Sequence, residues 1–191
     1  MVEGYENDYY KGGFLMNTMS SMDTLKAIKE RRSIRNYQDK PIEAEKLQAV
    51  LEAARLAPSA RNAQQWKFIV VQDKKQREKM AAATRYKFIA DAPVLIAGVS
   101  LDPKGVMRCG VPTYAVDLAI AMTNITLAAQ ALGLGTCWIG GFDQEAAKEV
   151  LKVPDKYKIV ELMPLGYPAE NPPARDRKSL SEIICYDSFT E

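Results

Sequence analysis

The sequence predicts a mixed helix-and-strand domain, α+β or α/β, stacked in three layers. Three observations lead there. Helix-period segments and short β-branched runs alternate along residues 22–191, the pattern of strands covered by helices. No internal repeat or linker divides them, and 191 residues suit one core better than two. Residues 113–132 are apolar on every side, so that helix must be covered all round.

At the start, Met22, Leu25, Ile28 and Lys29 share a helix face, and Asp23 suits the first turn. After Pro41 a second helix sets Leu47, Val50, Leu51, Ala54 and Leu56 on one stripe, and Pro58 stops it. Phe68-Ile69-Val70-Val71 reads as a buried strand. Residues 74–83 form a helix with a charged outer face, and residues 93–99 a second buried strand. Residues 102–112 mix Pro, Gly and charge, as a loop or lid does. In the long helix, Leu118, Ile120, Met122, Ile125 and Leu127 point in all directions. A subunit interface would supply its second cover, and so would a central place within one subunit. Gly133 and Gly135 end it, and Thr136-Cys137-Trp138-Ile139 reads as a strand. A short amphipathic helix at 144–151 and a strand at 158–165 follow, turning at Gly166-Tyr167-Pro168. Residues 169–177 are Pro-rich and irregular, and Ile183-Ile184-Cys185-Tyr186 is expected as an added edge strand.

Composition excludes several function classes. The net charge is +2, without the basic excess of a nucleic-acid or membrane-surface protein. With no histidine, Ser-His and Cys-His nucleophiles and histidine metal sites are ruled out. The three cysteines, Cys109, Cys137 and Cys185, are widely spaced, which points to inert thiols in the cytoplasm rather than to disulfides or zinc. No stretch has the ~20 apolar residues of a membrane span. Residues 1–21 carry Glu3, Glu6 and Asp8 without an apolar centre, unlike a secretory signal. They are expected to be a loosely held extension or a start-site artefact, with Met16, Met19 and Met22 as other starts.

Four clusters carry the candidate chemistry. Arg31-Arg32-Ser33-Ile34-Arg35 closes the first helix. Its guanidinium forks and hydroxyl suit a phosphate, or a solvated basic helix end. Pro58-Ser59-Ala60-Arg61-Asn62-Ala63-Gln64-Gln65-Trp66 lies between a helix and a strand, where short polar side chains serve either a ligand or an ordinary turn. Ile139-Gly140-Gly141 ends a strand, where backbone amides can approach a planar ring. The preceding Gly133-Leu134-Gly135 is not a dinucleotide fingerprint, because Trp138 occupies the third glycine position. Arg175-Asp176-Arg177 is a charged loop in the tail.

In this order and spacing, the four clusters resemble the FMN-dependent nitroreductase family across residues 22–187. The resemblance also rests on Gly-Leu-Gly-Thr-Cys-Trp at 133–138 and Leu165-Gly166-Tyr167-Pro168. It implies a three-layer α/β/α fold with a mostly antiparallel central sheet, in an intertwined homodimer with FMN sites at the interface. It implies that Arg31, Arg32, Ser33 and Arg35, with Arg175 and Arg177, hold the FMN phosphate and ribityl chain. Pro58, Ser59 and Ala60 match a loop covering the flavin from the other subunit, and Asn62 and Gln64 match polar positions of that motif. Ile139, Gly140 and Gly141 match the backbone beside flavin N5 and O4. The implied reaction is ping-pong: NADH or NADPH reduces FMN, which reduces a small acceptor such as a nitroaromatic or quinone. The chemistry then sits at FMN N5, with no catalytic side chain; Tyr86 and Tyr114 read as packing residues. Arg85 or Lys87 is a candidate donor to the N1–C2=O edge. Same-fold reactions (dehalogenation, flavin cleavage, ring oxidation) and a non-catalytic flavin carrier are the alternatives. Gln65 stands where the family has proline, and the 102–113 region is short.

Overall fold

A computed structural model describes residues 22–191; the expected extension at residues 1–21 lies outside the described residues. Helix α1 (Thr24–Glu30) starts at Asp23, whose carboxylate accepts from the Leu25 N–H at 3.1 Å. Helix α2 (Ala44–Arg55) follows, then a 3₁₀ turn (Ala60–Asn62) and β1 (Trp66–Val71). Helix α3 (Lys74–Ala82), β2 (Val94–Ser100) and the long α4 (Thr113–Ala131) come next. Then come β3 (Gly135–Thr136), α5 (Gln144–Leu151), β4 (Lys158–Gly166) and a one-turn α6 (Leu180–Ile183). Asp73 and Asp143 cap α3 and α5, each accepting at 2.8 Å from an amide of the first turn.

The four strands form one antiparallel sheet in the order β1-β2-β4-β3. Side chains alternate across it, as strand geometry requires. Leu95, Ala97, Ile159 and Leu162 pack with Met80 of α3 and Ala147 and Leu151 of α5. Val94, Ile96, Met163 and Leu165 pack on the opposite face with Val50 and Ala54 of α2 and Met122, Ile125 and Ala129 of α4. The three layers are those predicted.

Two glycines set the entry to β3. Gly133 takes a left-handed φ of 75° just past α4. Its N–H reaches the Gln130 carbonyl at 3.1 Å, and the Leu134 N–H reaches Ala129 at 2.8 Å. This paired motif satisfies carbonyls the helix end would leave bare. At Gly135 a Cβ would lie 2.6 Å from Ile34 Cγ1, so only glycine lets the residue 33–34 segment pair with β3.

Three expectations need correction. The edge strand expected at residues 183–186 is absent: residues 180–183 form helix α6, with a capping box from Ser179 and Glu182. A reciprocal cap three residues apart outweighs a two-residue β-branched pair. The strand expected over residues 136–139 shrinks to Gly135–Thr136, with Ile139 making an isolated bridge to Leu162. In α1, the expected apolar face is open: Leu25 is 75% and Ile28 55% exposed, and Ala27 is the buried residue. Similarly, α4 buries Leu118, Ala121, Met122, Ile125 and Ala129 while Ile120 and Leu127 stay half-buried. Among the described residues, nothing covers that helix on every side.

Candidate functional site

The first and fourth clusters, far apart in sequence, line one cleft. Its walls include Arg31, Arg32, Ser33 and Arg35 on one side and Pro172, Arg175 and Arg177 on the other, around a volume of about 750 Å³. Arg31 terminates α1, its N–H bonding the Ala27 carbonyl at 2.9 Å. Ser33 then bridges to Thr136, and the Ile34 N–H donates to the Thr136 carbonyl at 2.9 Å. Glu170 fixes the far side: its carboxylate accepts from the N–H groups of Arg35 at 2.5 Å and Asn36 at 3.2 Å. Beneath them Tyr37 donates to the Ile34 carbonyl at 2.7 Å, and burial holds its hydroxyl far above the usual phenol range.

The charge balance of this cleft is one-sided. Among the described residues, none of its five arginines forms an ion pair with a carboxylate. Arg32 donates to the Lys29 and Arg31 carbonyls, and Arg177 to the Arg175 and Asp176 carbonyls. Five arginines lining one cleft without counter-carboxylates suit a phosphate dianion, which accepts several charge-assisted bonds at once. Cys137 lies behind them. Burial pushes its thiol up, while Arg35, Ser33 and Arg31 pull it back in part. On balance the protonated, unreactive form is favoured.

The second cluster stands elsewhere in the chain. Ala60 and Arg61 line a separate cleft of about 370 Å³, with Asp102, Met107, Arg108, Tyr114 and Asp117 opposite. The loop is unusual in backbone. Arg61 (φ 55°), Asn62 (φ 53°) and Gln64 (φ 51°) are all left-handed without being glycine. Such clusters of disfavoured conformations collect at functional sites. Ser59 Oγ accepts from the Gln64 N–H at 3.0 Å, closing the loop on itself. Pro58, Asn62 and Gln64 are exposed and Ser59 half-buried. Within this chain the loop and the arginine cleft do not meet.

At the third cluster, Ile139 is buried and pairs with Leu162 through two backbone bonds of 2.9 and 3.0 Å. Gly140 is exposed, and a Cβ there would meet nothing within 4 Å. Gly141 faces Tyr86, whose ring would stand 3.1 Å from such a Cβ. Thr84 bridges to Phe142 and the Asp143 N–H reaches the Ala83 carbonyl at 2.8 Å. This brings the segment carrying Arg85 and Lys87, both exposed, beside the glycine pair. At Gly140 the open backbone ledge can accept a flat ring without side-chain obstruction. Tyr86 does pack, as expected, but its ring rests on Gly141.

Two residues escaped sequence reasoning. Glu170 anchors the arginine segment, and Asp117 accepts the Ala60 N–H through both oxygens, at 3.1 and 3.2 Å. The lone charged residue of an otherwise uncharged helix was the available signal for Asp117. Among the described residues no group of side chains could hold a metal ion, and no helix is long and apolar enough to cross a membrane.

The chain resembles known proteins over most of its length. The profile described as the Nitroreductase family matches residues 28–95 and 82–167. A Methanothermobacter thermautotrophicus protein with the provisional name NADH dehydrogenase/NAD(P)H nitroreductase is 40% identical over 167 residues, 83% of this chain and 84% of its own. An FMN reductase (NAD(P)H) of Bacillus subtilis is 34% identical, over 81% of this chain and 70% of its own. The solved structure of an FMN-dependent nitroreductase from Clostridium difficile superposes with a TM-score of 0.78 at 31% identity, covering 86% of this chain and 99% of that one.

Proposed function

The chain belongs to the nitroreductase family, and from that premise we propose that it is an FMN-dependent oxidoreductase. It would pass electron pairs from NADH or NADPH to a small acceptor, a nitroaromatic or a quinone, by a ping-pong sequence. The observation that carries this reading is the cleft of five arginines lacking carboxylate partners, which suits the terminal phosphate of FMN. The Gly140 ledge, where a Cβ would find open space, suits the flat ring.

When bound, FMN supplies the redox chemistry, taking an electron pair from the nicotinamide and returning it to the acceptor. The chain's own part is to bind and orient. Arg31, Arg32, Arg35, Arg175 and Arg177 hold the phosphate, Ser33 adds a hydroxyl, and Ile139, Gly140 and Gly141 offer main-chain groups to the ring edge. Arg85 or Lys87, beside that ledge, would favour negative charge on the N1–C2=O side. Nicotinamide and acceptor occupy the same open face in turn.

A homodimer completes the same proposal. Leu25, Ile28 and Leu56, and Leu180, Ile183, Tyr186 and Phe189 of the tail, are exposed apolar side chains, more than a lone protomer usually leaves to water. In the dimer, Pro58, Ser59 and Ala60 of one subunit would cover the flavin of the other, and Asn62 and Gln64 would add polar contacts. Residues 22–191 act as one FMN-binding unit. A cytoplasmic setting fits the free thiols at Cys109, Cys137 and Cys185.

Steady-state oxidation of NADH and NADPH with menadione, on protein loaded with FMN, tests the reading. Turnover is expected with at least one donor. FMN-loaded protein inactive toward every quinone and nitroaromatic overturns the oxidoreductase assignment.

A further inference from the structure

Asp117 is buried in the apolar body of α4, only 6% exposed, and forms no ion pair among the described residues. A buried carboxylate is disfavoured unless hydrogen bonds compensate it. The hydrogen bonds found for it come from one group, the Ala60 N–H, at 3.1 Å to Oδ1 and 3.2 Å to Oδ2. That N–H belongs to the loop with three left-handed, non-glycine residues.

The other hydrogen bonds of residues 58–64 stay local. The Asn62 N–H goes to the Ser59 carbonyl, the Gln64 N–H to Ser59 Oγ, and the Gln64 side chain to the Asn62 carbonyl. These bonds, with those from the Ala63 N–H to the Ala60 carbonyl and from the Trp66 N–H to the Gln64 carbonyl, shape the loop without reaching beyond its own stretch of chain. Among the described residues, Asp117 makes the one hydrogen bond joining residues 58–64 to a distant element of the fold. A strained loop persists only when its surroundings over-determine it.

We propose that Asp117 is a positioning residue: its carboxylate holds the 58–64 loop in the shape that covers the flavin. The assignment rests on the reading of that loop under the proposed function. Asp117 does not touch the cofactor; it acts through the Ala60 N–H. Its place on α4, a helix that the described residues leave partly uncovered, ties the loop to a surface where a second subunit would dock.

The test compares wild type with Asp117→Ala, Asp117→Asn and Ala60→Pro. Asparagine keeps an acceptor oxygen, alanine removes it, and proline removes the donor while leaving the carboxylate. Thermal unfolding confirms that each variant is folded. Amide hydrogen exchange is read on the peptide spanning residues 57–66, and FMN affinity by titration of flavin fluorescence.

Asp117→Ala should exchange at least about tenfold faster in that peptide and bind FMN about tenfold more weakly, as loss of a buried hydrogen-bond acceptor predicts. Ala60→Pro should weaken FMN binding similarly, and Asp117→Asn should stay near wild type in both readouts. Unchanged exchange in Asp117→Ala overturns the assignment, as does a freed loop with unchanged FMN affinity. Asp117→Asn as impaired as Asp117→Ala also overturns it, since the acceptor would then not be what matters. A wild-type protein that takes up no FMN overturns the proposed function, and this assignment with it. A wild type that binds FMN beside an equally tight Asp117→Ala overturns the assignment alone.

Discussion

Gly98 of β2 and Glu161 of β4 are direct partners across the sheet, and both carboxylate oxygens of Glu161 are buried without a hydrogen-bond partner. Leu118 and Met122 of α4 close over the same spot, at 3.2 and 3.5 Å from the position a Gly98 Cβ would take. The carboxyl group therefore sits in an apolar layer, and burial raises its pKa from 4.5 to about 9.

This gives the stability a pH dependence of known sign. The folded chain keeps the Glu161 proton where the unfolded chain releases it. Its stabilising effect is complete below about pH 4.5 and fades as pH rises toward about 9. Across that window this group should lower stability by up to ~1.4 kcal/mol per pH unit. Glu161→Gln should flatten the slope; urea midpoints at pH 5, 7 and 9 measure it. Parallel pH profiles for the two proteins would show that Glu161 is not held neutral.

The arginine cleft predicts that two distant pairs act on one ligand. Arg31→Ala with Arg35→Ala, and separately Arg175→Ala with Arg177→Ala, should each weaken FMN binding by roughly 1.5–3 kcal/mol. Both losses should shrink in high salt. Retention of bound flavin, read by absorbance at about 450 nm after gel filtration, checks this. A double-arginine variant that keeps its flavin removes that pair from the phosphate site.

Two glycines should respond in opposite ways to alanine. At Gly135 the new Cβ would collide with Ile34, 2.6 Å from Cγ1, so Gly135→Ala should destabilise the fold by about 1–3 kcal/mol. At Gly140 nothing lies within 4 Å, so Gly140→Ala should stay within ~0.5 kcal/mol of wild type and still weaken FMN binding. Thermal melts without FMN, followed by FMN titration, separate the effects.

The open apolar face of α1 predicts self-association. Sedimentation should give twice the mass of the chain. Leu25→Asp with Ile28→Asp should shift it toward monomer and release flavin together with the partner. A monomeric wild type at micromolar concentration would contradict the dimer.

Local chemistry was readable in the sequence where one residue type decides the outcome. The helical periods at residues 47–56, the strand at 68–71 and the helix end at Gly133 all rest on neighbours along the chain. The arginine groups were visible as clusters, but only folding brings Arg35 and Arg177 to one cleft. Glu170 went unmarked, and Asp117 stood out only as the lone charge of its helix, because their partners are backbone amides far along the chain. The tail misled in another way: Ile183 and Ile184 carry β-branched side chains, while Ser179 and Glu182 set the conformation by capping. The burial of Glu161 follows from the cover that α4 lays over Gly98, a contact between elements distant in sequence.

The Glu170 bond to Arg35 spans 135 residues of chain. Ser33 waits likewise for Thr136, and Tyr37 for Pro168. During synthesis from the amino terminus, the first arginine group therefore leaves the ribosome long before the strand and tail that brace it. Contacts so distant in sequence form late. The nascent chain can pack α2 and β1 against α4 and β2 first, but its anion cleft closes only once Arg177 has emerged. Cofactor loading then waits for the synthesis of Arg175 and Arg177, and a product truncated before them would lack one wall of the cleft.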